Sequence, residues 1–319
     1  MKKALLIALI PLLSGCFKKE IPVDKPVYGA TSSQVELGGN YANQIYYDLE
    51  TSSIIRQNNR EVWDLAFEAG ENGFHILLNE SRIMAAALSN ETDITALTSD
   101  AGLTYHWDFH TGNLDSTAIG DWQSLGKVYA IDLGTALTGG SLGKKKLKVV
   151  SVTSAEYQIQ FADLNSSVIQ TFTIPKSTIA GFTYFSMTGS GSLVDIEPNK
   201  ETWDLIFTAY CHVFDSHTPY SVVGVLSNRY GVKVQEVTIP FADLKHSDIA
   251  ESAFEDRINV IGYDWKTYDF DNGIYVVNSN RTFIVKTVSG RYYKMRFVDY
   301  YDANGIKGAP KFELQELIP

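Results

Sequence analysis

Apolar and polar residues alternate at every second position in short runs along this chain, the period of a strand with one buried face and one wet face. Tyr157, Ile159 and Phe161 alternate with Gln158 and Gln160, and Tyr293, Met295 and Phe297 alternate with Lys294 and Arg296. Similar runs at Tyr41 to Leu49, Trp63 to Phe67, Phe74 to Leu78, Arg82 to Leu88, Val128 to Asp132, Leu147 to Val152 and Val222 to Leu226 predict further strands. Between them stand Glu71-Asn72-Gly73, Asp271-Asn272-Gly273 and Ala303-Asn304-Gly305. Asn-Gly accepts the positive φ of a tight hairpin, so these triplets predict an antiparallel meander. One stretch breaks the pattern: Ile249, Ala250, Ala253 and Phe254, within Ser247 to Arg257, have helical spacing and predict one short helix.

The phrase Trp63-Asp64-Leu65-Ala66-Phe67 returns in the second half of the chain as Trp203-Asp204-Leu205-Ile206-Phe207, each with a glutamate two places ahead, Glu61 and Glu201. At period two, Trp, Leu and Phe share a face that predicts a core position for each tryptophan, while Asp64 and Asp204 point the other way. Ser89-Asn90 pairs with Ser227-Asn228, Tyr129-Ala130-Ile131 with Tyr275-Val276-Val277, and Tyr157/Ile159/Phe161 with Tyr293/Met295/Phe297. Landmarks in one order predict an internal duplication. The expected fold is mostly β: two tandem antiparallel β repeats, residues 34–175 and 180–319, with one short helix in the second.

Composition agrees. The 319 residues include 18 Tyr and 16 Phe but only 4 Met, and 45% are hydrophobic, enough for a substantial core. A formal charge of −10 argues against nucleic acid as a partner, because phosphate binding needs clustered Lys and Arg. The one basic cluster, Lys144-Lys145-Lys146 with Lys148, reads as a solvated loop edge. Residues 1–15 have a positive start, an apolar run from Ala4 to Leu13 and a small-residue end, the pattern of an export signal. The apolar run is about half the ~20 residues that a membrane-crossing helix needs. Residues 16–33, with Pro22 and Pro26, read as a tether.

Leu13-Ser14-Gly15-Cys16 resembles the bacterial lipobox, which implies cleavage before Cys16 and attachment to a lipid membrane through its acylated sulfur. Cys211 is then the one remaining thiol, so no disulfide framework is available, and it reads as a small buried hydrophobe.

Three phrases of the second half carry a wider resemblance: Glu201 to Phe207, Ile261-Gly262-Tyr263-Asp264-Trp265-Lys266, and Tyr292 to Tyr301 continuing through Gly305 to Glu313. They resemble the HmuY-like lipoproteins of Bacteroidetes, strongly over the second repeat and more faintly over the first. The resemblance implies a mostly β fold, haem as cofactor, an outer-membrane location exposed at the cell surface, and a TonB-dependent receptor as partner in iron acquisition. Family members differ in their iron ligands, so no ligand is carried over to this chain.

Haem iron takes His imidazole or Met thioether. Cys211 to Tyr220 is the one segment with two histidines close together, flanked by aromatics, and it reads as a loop between strands. A short loop cannot reach both faces of a porphyrin. The expected site therefore takes one ligand from His212 or His217 and another from elsewhere, such as His246, with Phe214 or Tyr220 along the ring. The plainer reading, ordinary loop histidines, stands beside it. His106 and His110 lie on one side of an extended run, about 13 Å apart, too far to share a metal. The chain contains no His-Glu-x-x-His and no Walker phosphate loop, so no enzyme is expected. The alternative is a lipoprotein that binds something other than haem, or a scaffold acting with a receptor or a glycan.

Overall fold

The computed structural model of this chain describes residues 29–215 and 218–319. The export signal, Cys16 and most of the tether lie outside the described residues. Three strands come first: β1 (Thr31–Gln34), β2 (Asn43–Asp48) and β3 (Ser53–Asn59). Next come β4 (Leu65–Glu68), β5 (Ile76–Leu78), β6 (Ala85–Leu88), β7 (Tyr129–Asp132), β8 (Lys144–Val152), β9 (Glu156–Asp163) and β10 (Gln170–Pro175). A single helical turn, α1 (Trp122–Leu125), precedes β7. Two hairpins follow, β11 (Phe182–Ser186) with β12 (Ser192–Val194), and β13 (Leu205–Phe214) with β14 (Thr218–Ser227). The chain closes with β15 (Lys233–Val237), β16 (Lys266–Asp269), β17 (Ile274–Val277), β18 (Thr282–Lys286), β19 (Tyr292–Tyr301) and β20 (Lys307–Glu316). The mostly β, antiparallel expectation holds.

These strands form two sandwiches. A four-stranded sheet, β12-β11-β4-β5, and a five-stranded sheet, β10-β9-β8-β7-β6, enclose a core that includes Leu65, Phe67, Tyr157, Phe161 and Phe185. A second four-stranded sheet, β14-β13-β2-β3, and a five-stranded sheet, β1-β20-β19-β18-β15, enclose Phe207, Trp265, Phe283, Phe297 and Phe312. The short β16–β17 sheet pairs with neither, and its Tyr275 and Val277 pack against the second core.

The sheets do not divide the chain at 175–180. Strands β1 to β3 join the second sandwich, where Tyr47 pairs with Leu205, while β11 joins the first, where Phe185 pairs with Leu65. Periodicity reports which face of a strand is buried, not which distant strand it pairs with. Two of the matched landmarks also shift. By sheet position β7 corresponds to β18, not to Tyr275–Val277 in β17, and β8 corresponds to β19. The registers agree: Ala130 faces Lys146 as Ile284 faces Lys294, and the next pairings, β8–β9 and β19–β20, carry a bulge at Val149/Ser151 and Phe297/Asp299.

The tryptophans also sit elsewhere than expected. Strands β4 and β13 begin after the Trp-Asp pair, so the alternation does not run through it. Trp63 and Trp203 pack together with Tyr46, Phe182 and Ile196 between the two four-stranded sheets, not within either sandwich core. Both aspartates are buried and serve as backbone acceptors. Asp64 accepts from Arg82 Nη2, the Ser186 hydroxyl and the Met187 N–H. Asp204 accepts from the Leu49 and Val288 N–H groups, each at 3.0 Å.

An asparagine completes each corner. Asn79 Nδ2 donates to the carbonyls of Arg60 and Trp63, and Asn228 Nδ2 to those of Lys200 and Trp203. The structural counterpart of Asn228 is therefore Asn79, not Asn90.

Two local expectations fail for packing reasons. Lys144 to Lys148 belong to β8 and are not a loop edge. Lys146 is fully buried, its ammonium donating to the Leu97 carbonyl at 2.8 Å, as Lys294 donates to Phe241 at 2.7 Å. The segment with helical spacing forms two 3-10 turns, His246–Asp248 and Glu251–Ala253, and Ile249 and Phe254 pack against Leu244, Ile284 and Leu317. Packing onto the sheet, rather than helix propensity, decides that segment.

Asp64→Ala would leave the Arg82 guanidinium buried without its carboxylate, an expected loss of about 3–5 kcal/mol in urea denaturation. Asn228→Ala would strand two carbonyls and is expected to cost about 2–4 kcal/mol by the same measurement.

Candidate functional site

Strand β13 presents two faces. Leu205, Phe207, Ala209, Cys211 and Val213 alternate with Ile206, Thr208, Tyr210, His212 and Phe214. Leu205 and Phe207 enter the second sandwich core, so Ile206 to Phe214 face the first sandwich. Cys211 is buried, and burial pushes its thiol up to about 12, which makes it an inert core residue. Across the hairpin Tyr220 pairs with His212, and Thr218 with Phe214. His212, Phe214 and Tyr220 therefore share a face near the hairpin tip. His212 and Phe214 have ring centres 4.5 Å apart, and Tyr220 is 62% exposed.

The neighbour of His212 is His110, from the irregular run between β6 and β7. Their ring centres are 3.8 Å apart at 30°, and the Val213 N–H donates to His110 Nδ1 at 3.3 Å. Phe109 flanks His110 at 4.3 Å, and Tyr263 meets His212 edge-on at 5.1 Å. Burial, then the His212 charge and Arg257, hold His110 down to about 4. Burial also lowers His212, against the pull of Asp264. Both rings are therefore neutral at pH 7, each with one in-plane lone pair, which in His110 accepts from Val213. His212 Nδ1 is buried with no partner among the described residues.

His246 does not join them. It stands against Tyr292, ring centres 5.7 Å apart, on the outer side of the five-stranded sheet, so the second sandwich lies between it and His212. Alternation along β18 explains the separation, since Ile284 faces outward while Phe283 and Val285 face the core. His217 lies outside the described residues. His75 is committed elsewhere, its Nδ1 lying 2.6 Å from Glu68 Oε2. His110 was set aside as a partner of His106, and no local signal linked it to His212, because the contact joins two sandwiches.

Two cavities adjoin this hairpin. One, of about 120 Å³, lies between the four-stranded sheets on the His212 face of β13, and Trp63, Trp203, Tyr210, Glu80 and Glu197 are among its walls. It is small beside the roughly 300–1,000 Å³ of ordinary ligand pockets. The other, an open cleft of about 530 Å³, runs between Pro219 and a wall that includes Tyr105, Trp107 and Asp132. Pro219 pairs with Val213, so this cleft meets the opposite face of the hairpin from His212. Among the described residues no group of three or more His, Cys, Asp or Glu is arranged to hold a metal ion, and no helix is long and apolar enough to cross a membrane.

Comparison with known proteins supplies the family. Among solved structures, apo PinO from Porphyromonas gingivitis is 11% identical, with 92% of this chain and 100% of that one covered at a TM-score of 0.36. An apo HmuY analog from Tannerella forsythia is 13% identical, with 92% and 100% covered at a TM-score of 0.26. A HmuY-like protein from Bacteroides vulgatus is 12% identical, with 89% and 90% covered at a TM-score of 0.24. No curated protein matches the chain. The family model described as HmuY protein matches residues 40–314, which is most of the sequence, and the chain belongs to the HmuY family.

Proposed function

We propose that this protein binds haem or a related porphyrin as a lipid-anchored protein of the outer membrane, held through acylated Cys16 and acting with a TonB-dependent receptor in iron acquisition. Membership of the HmuY family carries the reading. The chemistry at the β13–β14 tip supports it: two neutral imidazoles beside the exposed rings of Phe109, Phe214 and Tyr220.

The donor types fit haem iron, and the spacing limits how they act. Two axial nitrogens at about 2 Å from a metal lie about 4 Å apart, with their ring centres further still. His110 and His212, with ring centres at 3.8 Å, leave no room for a porphyrin between them, so either they part or one of them ligates alone. His212 is the better first ligand because its Nδ1 is unpaired, whereas His110 Nδ1 accepts from Val213. His217, outside the described residues, remains a candidate. Bound haem would supply the iron centre to be carried, and Phe214 and Tyr220 would cover its apolar surface.

A non-haem or scaffold role has one observation in its favour. Hairpin β16–β17 exposes Phe270 (87%), Val276 (51%) and Tyr268, and it contributes no contact to the histidine pair. Aromatics gathered there suit a protein or glycan partner.

Titration of the purified protein with haemin separates the two, since no Soret shift in oxidised or reduced samples would leave only the second. In a positive titration His212→Ala is expected to weaken binding by about tenfold or more, and His246→Ala to leave it unchanged. An ordinary histidine is half protonated near pH 6.5, and the protonated ring has lost its lone pair. Because burial holds His212 below that value, the decline in haemin affinity is expected at a lower pH than an ordinary histidine ligand would give. A decline centred near 6.5 would assign ligation to an exposed histidine instead.

A further inference from the structure

The two interface tryptophans occupy corresponding places but are not equally satisfied. Each meets a tyrosine edge-on with ring centres 4.9 Å apart, Trp63 against Tyr184 and Trp203 against Tyr46. Trp63 Nε1 donates to Gln44 Oε1 at 3.0 Å. Gln44 stands two residues before Tyr46, and the residue two before Tyr184 is Phe182, which has no oxygen to offer. Trp203 Nε1 is accordingly buried without an acceptor among the described residues, and Trp203 is only 7% exposed. A buried donor left unpaired costs stability unless something else supplies the acceptor.

The cavity of about 120 Å³ that Trp203 lines is also short of positive charge. Glu197 is 7% exposed and accepts from the Phe182 N–H at 2.9 Å. The Glu80 carboxyl accepts no hydrogen bond from the described residues, and Asp108 adds a further buried carboxyl nearby. Among the lining residues Arg229 is the one cation, and it donates through Nη1 to the Gly112 carbonyl at 2.7 Å with its guanidinium 5.3 Å from the Phe182 ring. Burial pushes Glu80 up to about 8 and Glu197 up to about 7, as expected of carboxyls that lack enough positive charge beside them.

We propose that this cavity binds a small organic ammonium ion that carries an oxygen acceptor, its cation among Glu80, Glu197 and the aromatic walls, its oxygen accepting from Trp203 Nε1. Tryptophan and tyrosine rings attract an ammonium through their π faces, and carboxylates complete such a cage. An enclosed apolar cavity of about 150 Å³ holds benzene, and this one, smaller but partly open, takes an ammonium ion of similar size. The site is separate from the histidine pair, and its occupancy does not depend on haem.

The test uses haem-free full-length protein at about pH 9, above the values of both glutamates, with calorimetry and tryptophan fluorescence as readouts. Choline is the probe, 3,3-dimethyl-1-butanol is its uncharged isostere, and tetramethylammonium lacks the oxygen. Choline is expected to bind once per chain, and the isostere about tenfold more weakly or worse. Trp203→Phe is expected to weaken choline about fivefold while leaving tetramethylammonium unchanged, since it removes only the hydrogen bond. Glu197→Gln should weaken both cations. Should that variant fail to fold, Trp203→Phe still decides, because the lost N–H bonds to nothing in the protein. Equal binding of choline and its isostere, or no binding of any probe, overturns the proposal, the second result meaning that the cavity holds water alone.

Discussion

Buried side chains that accept and donate to the main chain at two corners hold this protein together. Asp64 and Asp204 each sit just ahead of a central strand and accept an N–H from the residue that follows a neighbouring strand, Met187 after β11 and Leu49 after β2. Asn79 and Asn228 close the same corners from the other side. Without these groups the main-chain polar atoms at the junction would be buried and unpaired, which a folded chain does not tolerate. Both corners therefore tie strands distant in sequence into one sheet, and the crossing of β1 to β3 and β11 across the two sandwiches depends on them.

The same junction creates the surfaces that matter for function. With the corners fixed, Trp63 and Trp203 both pack between the four-stranded sheets, and the outward face of β13 runs from the small cavity to the hairpin tip. His212 lies on that face and meets His110, which comes from the other sandwich. A hairpin of ten-residue strands, paired with β2 only over Leu205 to Phe207, carries its far end beyond the sheet and into this contact. Both the histidine pair and the cavity are thus products of the packing of one sandwich on the other.

The Trp-Asp phrase shows how far a linear reading reaches. Its recurrence correctly marked two equivalent places in the architecture, and the phrases around it carried the family resemblance. Its alternation misled, because the strand begins one residue after the aspartate and the tryptophan turns toward the interface. Lys146 misled in a different way: a triple lysine has a solvated composition, yet the segment around Leu97 covers the outer face of the strand there, and the Lys146 ammonium finds a carbonyl. His246 was chosen as a second ligand on chemistry alone, whereas His110 was set aside because its sequence neighbour His106 is too far away.

What the sequence determined by itself is local or compositional. Alternation fixes that a segment is a strand and which of its faces is dry, Asn-Gly places the turns, and distinctive phrases assign the family. Tertiary structure decided what depends on contacts between distant segments: which sandwich β2 and β11 enter, why Trp203 lacks an acceptor while Trp63 has one, and which histidine meets His212. The physical reason is that period-two patterning carries one bit per residue, inside or outside, and every strand in a mostly antiparallel protein offers the same hydrogen-bonding edge. Choosing among those edges takes the shapes and buried polar groups of the whole chain, which only the folded molecule brings together.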